Sequence, residues 1–363
     1  MSDTARAAEV ADKVESIRSW LGEGRALRLR GIDWFAWITA GASSAVLLAA
    51  ETGIAEVVIT LGGAWVVTDE IEAQRLIDEE LPAWLTVRAA PWASKTARDS
   101  LVSELTKGCS ILSDRPGAGE GALPEELVAA KRALMSLEIE RYRKVGRLAA
   151  QAMTEALLEA DPKWSEYKLA GAGAAALQAR GLHPALVMAS GARRTRLYRH
   201  PMPTNDPLGS IAMLVFCARG HGLYANLTRF VSFGAVPQPL SELHRQVREV
   251  EAHALELSRP GVGLQEVYQE LAKAYADAGH ERAIREHHQG GSTGYLSREV
   301  VATPDATEMI RAGTAVAWNP SLPGAKVEDT FLVTNTGLVN LTMDPAWPTL
   351  KVAGRERPLV LER

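Results

Sequence analysis

The stretch "HHQGGSTGYLSRE", residues 287–299, sets two adjacent histidines before a pair of glycines and closes on an Arg-Glu pair. Paired glycines let a backbone come close to whatever faces it, and Gln289, Ser292 and Thr293 are small polar groups able to offer hydrogen bonds there. A tight structural turn accounts for the same glycines equally well. The flanking sequence is strand-like. "SIAMLVFCARGHGLYANLTRFVSFG" (210–234) predicts two strands joined by a Gly-rich turn, and "TAVAWNP" (314–320) and "AKVEDTFLVTNTGLVNLT" (325–342) predict further strands. "LSELHRQVREVEAHALEL" (240–257) puts Leu240, Leu243, Val247, Val250, Ala254 and Leu257 on one face, and residues 262–279 behave likewise, so both read as packing helices. Strands and helices in separate runs predict an α+β second domain.

The first part of the chain has a different rhythm. A helical pattern over 4–21 is followed by short apolar runs at 26–31, 45–51, 54–60, 64–69 and 109–114, which read as strands, and by helix-like pieces at 70–81 and 93–108. That alternation predicts helices laid against a sheet. "DRPGAGEGALP" (114–124) is rich in Gly and Pro and marks the junction, after which 124–160 reads as one or two helices. The expected organisation is an α/β domain over 1–123 and a second domain over 124–363.

Composition narrows the class. The 363 residues carry a formal charge of −4, with both signs mixed along the chain, so nothing provides the footprint that nucleic acid or an anionic membrane needs. The N-terminal stretch carries charges throughout, and the longest apolar run, "ITAGASSAVLLAA" (38–50), is short and broken by Gly and Ser; a cytoplasmic location is the expectation. Cys109 and Cys217 lie far apart without a CxxC, which points to small buried hydrophobes rather than a disulfide or a zinc knuckle.

The order "RHPMPTND" (199–206), "GHGLYANLTRF" (220–230), "QGGSTGYLSRE" (289–299), "VAWNP" (316–320) and "VEDTFLVT" (327–334) resembles the pita-bread family that contains methionine aminopeptidase, aminopeptidase P, prolidase and creatinase. "GIDWFAWITAG" (31–41) and "TDEIEAQRLIDEEL" (68–81) resemble the amino-terminal domain of creatinase and prolidase, so the resemblance covers the whole chain. It implies a creatinase-type two-domain α+β protein. It also implies a pair of metal ions held by two aspartates, a histidine and two glutamates, because hard dications in a bridged pair need carboxylates to offset their charge.

At four of those five positions this chain departs from the pattern. Val215 and Asn226 stand for the two aspartates, Gly291 for the histidine and Asn319 for the glutamate before proline; only Glu328 remains. One carboxylate with two neutral amides lacks the charge to hold two dications, so the expectation is no metal and no cofactor. A slipped register would instead recruit His221 or His287 and His288.

What remains implies a site without metal. The resemblance places His200 where prolidases and creatinase keep a histidine facing the substrate, and creatinase works without metal through that histidine as acid and base. Imidazole titrates near neutrality and can both take and return a proton. Glu328 is the second catalytic candidate, holding His200 or a substrate nitrogen, with a simple salt bridge as the plainer reading. Creatinase carries a further glutamate where this chain has Thr228, so a partner for a cationic substrate is missing. Arg298 could grip a carboxylate through its planar fork, with Glu299 beside it or paired to it. Gln289, Tyr295, Asn226, Thr228 and Asn319 complete the candidate substrate contacts. In "DWFAW", Trp34 and Trp37 are implied to reach the neighbouring subunit's site in a homodimer, although aromatics at i and i+3 also suit helix packing.

Three functions fit these residues. One is a metal-independent, creatinase-like hydrolase acting on a C–N bond of a small amide, urea or cyclic amidine. Another is a lyase, dehydratase or cyclase using the same histidine on an amino-acid-derived substrate. The third is a non-catalytic pseudo-peptidase that binds peptide or protein, as metal-free relatives in chromatin factors do. A small-molecule substrate, with or without a carboxylate, is the expected partner of the first two.

Overall fold

The computed structural model describes residues 3–94 and 96–363, and the chain divides into two compact units, Met1–Lys131 and Arg132–Arg363. The first unit runs α1 (Asp3–Leu21), β1 (Arg25–Gly31), α2 (Ile32–Ile38), β2 (Thr52–Thr60), β3 (Gly63–Asp69), α3 (Ala73–Arg75), β4 (Thr86–Ala90), α4 (Ala97–Thr106), β5 (Ser110–Ser113), β6 (Gly121–Ala122) and α5 (Glu125–Arg132). Its strands form one mixed sheet in the order β4-β3-β2-β1-β5-β6. Val10, Val14, Ile17 and Leu21 line one face of α1 at helical spacing and are buried, as are Leu27, Leu29, Val57, Val58 and Ile59 in the central strands.

Two local expectations fail here. Residues 45–51 are not a strand: they form an irregular segment with Val46 and Leu47 59% and 70% exposed, so apolar composition alone misled. The helix expected over 70–81 is only the single turn α3 followed by a π-helical turn, Leu76–Glu80, in which Leu76 is the buried side chain. Of the helix expected over 93–108, Lys95 lies outside the described residues, and regular helix covers α4 alone.

The second unit contains α6 (Ser136–Glu159), α7 (Glu166–Gln178), β7 (His183–Gly191), β8 (Ile211–Gly220), β9 (Leu223–Ser232), α8 (Gln238–Leu257), α9 (Leu264–Asp277), β10 (Gly290–Thr293), β11 (Val300–Val301) and β12 (Ala315–Trp318). It ends with β13 (Ser321–Leu322), β14 (Ala325–Lys326), β15 (Asp329–Thr334), β16 (Gly337–Asn340), β17 (Thr349–Val352), β18 (Arg355–Pro358) and β19 (Leu361–Glu362). One sheet has the order β19-β9-β8-β7 and the other β11-β10-β12-β15-β16. The β8–β9 hairpin closes on His221 and Gly222, both at positive φ (50° and 80°), the combination a tight two-residue hairpin turn requires.

Period-two alternation along β9 decides what faces the site. Ala225, Leu227 and Val231 pack into the core built with α6 and α7, leaving Asn226 and Thr228 for the opposite face. A second core lies between α8, α9 and the other sheet, where Trp318, Phe331, Val250 and Leu271 meet. The two sheets join at an antiparallel bridge between Thr228 and Glu328. Behind that bridge, Arg229 and Arg357 both pair with Asp329 (2.7 and 2.8 Å), and Arg357 also grips Glu251 at 2.6 Å, all four being buried. This chain of opposite charges ties β9, β15, β18 and α8 together beside the site.

Candidate active site

The paired glycines turn out to be a backbone requirement. Gly290 and Gly291 form the start of β10, at φ of +104° and +154°, between β11 and β12. A Cβ at Gly290 would lie 2.1 Å from the Ala317 carbonyl oxygen, and one at Gly291 would lie 2.1 Å from that of Val300. No side chain fits at either place without moving backbone.

Glu328 sits at the centre of the cluster, 2% exposed. Its Oε1 accepts from Arg298 Nη2 at 2.7 Å, and its Oε2 accepts from Thr228 Oγ1 at 2.9 Å and lies 3.2 Å from Lys326 Nζ. Burial alone would raise its pKa, but the Lys326 and Arg298 cations prevail and hold it down to about 2. Lys326 is a buried cation that the sequence reading missed. It stands two residues before Glu328, on the same side of the chain by strand alternation, and that spacing was the available signal.

The imidazoles gather on the exposed side of this cluster. Nε2 of His200 and Nε2 of His287 are 2.8 Å apart, His287 and His288 stack with ring centroids 4.6 Å apart, and His200 and His288 rings lie at 5.6 Å. His287 is buried, while His200 and His288 are exposed. Partial burial, with Lys326 and Arg298 nearby, lowers the pKa of His200 below 6.5 against the opposing pull of Glu328. Burial and Arg298 bring His288 down to about 4, and His287 is lowered further, chiefly by burial. All three rings are therefore neutral at pH 7.

The other candidates divide into those facing this cluster and those supporting it. Arg298 has no open fork: besides Glu328 it donates Nη1 to the Ser297 carbonyl at 2.7 Å, which corrects the expectation of a guanidinium waiting for a carboxylate. Its Nε is buried without a hydrogen-bond partner. Glu299 accepts from the backbone N–H groups of Tyr295 and Leu296 at 2.9 and 3.1 Å, and so shapes the loop. Tyr295 is 1% exposed and donates its hydroxyl to Glu138 at 2.6 Å. Gln289 is fully buried, accepting from the Tyr275 hydroxyl at 2.9 Å and donating to the His287 carbonyl, which fixes the backbone beneath that histidine.

Asn226 donates Nδ2 to Thr293 Oγ1 at 3.0 Å and to the Ser297 carbonyl at 3.4 Å, and its Oδ1 has no partner. Asn319 likewise has a buried Oδ1 without a partner. Thr228 serves Glu328 rather than standing open. In the first unit, Trp34 and Trp37 lie edge to face at 5.4 Å, 4% and 5% exposed, with Lys131 and Lys13 against their faces. Both rings thus pack within their own unit. Cys109 and Cys217 are unpaired and half-buried, and burial raises the Cys217 thiol to about 11, which makes it a poor nucleophile.

Two sheets folded around a central polar cluster, after an α/β unit, define the creatinase-type pita-bread architecture. The model of metallopeptidase family M24 matches residues 140–335, more than half of the chain, and the chain belongs to that family. Over 124 residues it is 27% identical to an uncharacterized peptidase of Staphylococcus haemolyticus and 25% identical to one of Staphylococcus aureus. Those matches cover 32% of this chain and 35% of each relative, so the aligned stretch spans about a third of the curated relatives' length. Among solved structures, the fold is similar to an X-Pro aminopeptidase from Thermotoga maritima (TM-score 0.76, 16% identity, 97% of this chain and 100% of that one). It is also similar to a prolidase from Pyrococcus horikoshii (0.76, 19%, 93% and 98%) and to the N-terminal domain of a FACT complex subunit from chickpea (0.67, 12%, 94% and 96%).

The family implies a pair of metal ions, and the residues at the corresponding positions do not fit them. Val215 packs into an apolar cluster with Met188, Met213 and Phe230. Asn226 and Asn319 offer neutral amides, and Gly291 has room for no side chain. The one carboxylate, Glu328, already carries two protein cations. A dication placed there would meet Arg298 and Lys326 with a single negative charge to share among them.

Proposed function

We propose that the protein is a hydrolase that cleaves a C–N bond in a small amide, urea or cyclic amidine without its family's binuclear metal centre, using His200 as acid and base. The observation that carries this reading is the pairing of a neutral, exposed His200 with a donor set unable to hold the two ions. In the working tautomer His200 keeps its proton on Nε2 and donates it to Nε2 of His287, which fixes the ring and leaves Nδ1 bare. Nδ1 takes a proton from water as the oxygen attacks the carbonyl or amidine carbon. The C–N bond then breaks as the same proton passes to the leaving nitrogen. Each cycle returns His200 to its neutral form.

Glu328 acts through its neighbours in this reading. It holds Arg298 and Lys326 in place, and two cations against one carboxylate leave the pocket a net charge of +1, which favours a substrate bearing a carboxylate. The test is turnover of a panel of N-acyl amino acids, ureido acids and cyclic amidines by the wild type and by His200→Asn. The variant is expected to lose about 10²–10⁴ in kcat with its circular dichroism and melting temperature unchanged. Near-wild-type turnover in His200→Asn would remove His200 from the chemistry.

A further inference from the structure

We propose that His200, His287 and His288 form a mononuclear site for a transition-metal dication, Zn²⁺ foremost, built from none of the five positions at which the family binds its metal pair. One ring nitrogen from each of the three residues lies within 4.8 Å of the other two. Imidazole nitrogens bound to one tetrahedral ion at about 2.0–2.1 Å stand roughly 3.3 Å apart, so the set closes on an ion with small ring rotations. His200 and His288 are exposed and have the room to make them. His287, only 8% exposed, is the fixed member, and its Nδ1 is a buried polar atom with no hydrogen-bond partner in the protein. Its backbone is tied down by Gln289, so the cluster has an anchor and two adjustable arms.

The donor chemistry selects the ion. Three neutral imidazoles suit Zn²⁺, Cu²⁺ and Ni²⁺ and are poor ligands for Ca²⁺ or Mg²⁺, which need oxygen. Arg298 and Lys326 stand nearby and repel any cation, and Glu328 offsets only one of them. The ion therefore binds reversibly, short of the affinity of a closed structural zinc site, and completes its shell with water or an anion.

Its consequence rests on the function proposed above: whichever nitrogen of His200 holds the ion, the other keeps the ring's only proton and no lone pair remains to take one from water, so metal binding and turnover exclude one another. Binding itself does not depend on that reading, and the test keeps the two apart. Untagged, chelator-treated full-length protein is titrated with Co²⁺, followed by the visible absorption of four- or five-coordinate cobalt, and with Zn²⁺ by calorimetry. One equivalent is expected to bind, with affinity lowered by more than about tenfold in His200→Ala and in His288→Ala, since even an outer-shell partner typically contributes about 10–100-fold. His253→Ala, which removes an exposed histidine engaged with Glu270 elsewhere on the surface, is expected to bind as the wild type does. Absorption no stronger than that of cobalt in buffer, or wild-type affinity in both cluster variants, overturns the site. Loss of binding in His253→Ala overturns it equally. Binding with no effect of Zn²⁺ on turnover would leave the site standing and refute the acid–base role of His200.

Discussion

Glu328 is the residue on which the charge argument turns, and Glu328→Gln tests it with a number. The substitution keeps size and one acceptor oxygen but removes the charge that Arg298 and Lys326 face at 2.7 and 3.2 Å. The folded-state pKa of about 2, against 4.5 for an ordinary glutamate, is a difference of about 2.5 units. At roughly 1.36 kcal/mol per unit, ionised Glu328 contributes about 3 kcal/mol to stability at pH 7. Breaking a buried ion pair by removing one partner typically costs about 3–5 kcal/mol, which agrees. Because the folded pKa is depressed, this contribution is fully present above the unfolded value of 4.5 and is lost as pH falls through about 2. The difference between wild type and variant is therefore about 3 kcal/mol at pH 7 and less than half of that by pH 3. Urea unfolding followed by tryptophan fluorescence and far-UV circular dichroism at both pH values measures it. A difference that does not change with pH, or one below about 1 kcal/mol at pH 7, would refute the reasoning.

Gly291→Ala is expected to cost more than about 2 kcal/mol, because φ of +154° and a carbonyl 2.1 Å from the new Cβ add strain to a clash; a melting temperature within a degree or so of wild type would contradict it. If His200 is the base, it must be neutral to act, and its pKa is lowered from 6.5, so the acid limb of kcat/KM should be centred below pH 6.5. An acid limb centred above about pH 7 would assign the proton to another group. Arg298→Lys keeps the charge but loses the planar fork that reaches both Glu328 and the Ser297 carbonyl. It is expected to lower the melting temperature by several degrees, and one within a degree or so of wild type would contradict the structural role given to that fork.

The elements with strong periodicity were legible from sequence. The hairpin around His221, the helices α8 and α9 and the strands β12 and β15, which flank Asn319 and Glu328, lie where their patterns put them, since each has an apolar face that only one core can bury. Residues 45–51 misled because a run of apolar residues says nothing about whether a sheet edge is available to pair with it. The candidate site was legible as a set of residues and not as a set of contacts. Sequence brought His200, Arg298, Thr228 and Glu328 into view but could not show that three of the four are bound to one another, because that depends on the bridge between β9 and the segment before β15. The pairing of His287 with His200 was invisible because it joins two loops far apart in the chain, whereas Lys326 had a signal in its spacing from Glu328 that went unused.

The charges at this centre also explain why its parts stand or fall together. A carboxylate as buried as Glu328 needs cations, and Lys326 at 6% exposure needs a carboxylate, so each makes the other tolerable. Here that compensation comes from two side chains. Restoring a single ligand cannot reverse the arrangement. Asn226→Asp would set a carboxylate oxygen against the Ser297 carbonyl that Nδ2 now faces, and Gly291→His would drive a side chain into the Val300 carbonyl. Neither change removes Arg298 or Lys326 from the place a dication would take. On the other side of that ion cluster His200 and His288 are exposed, and partial burial, with Arg298 and Lys326 adding to it, lowers the pKa of both imidazoles.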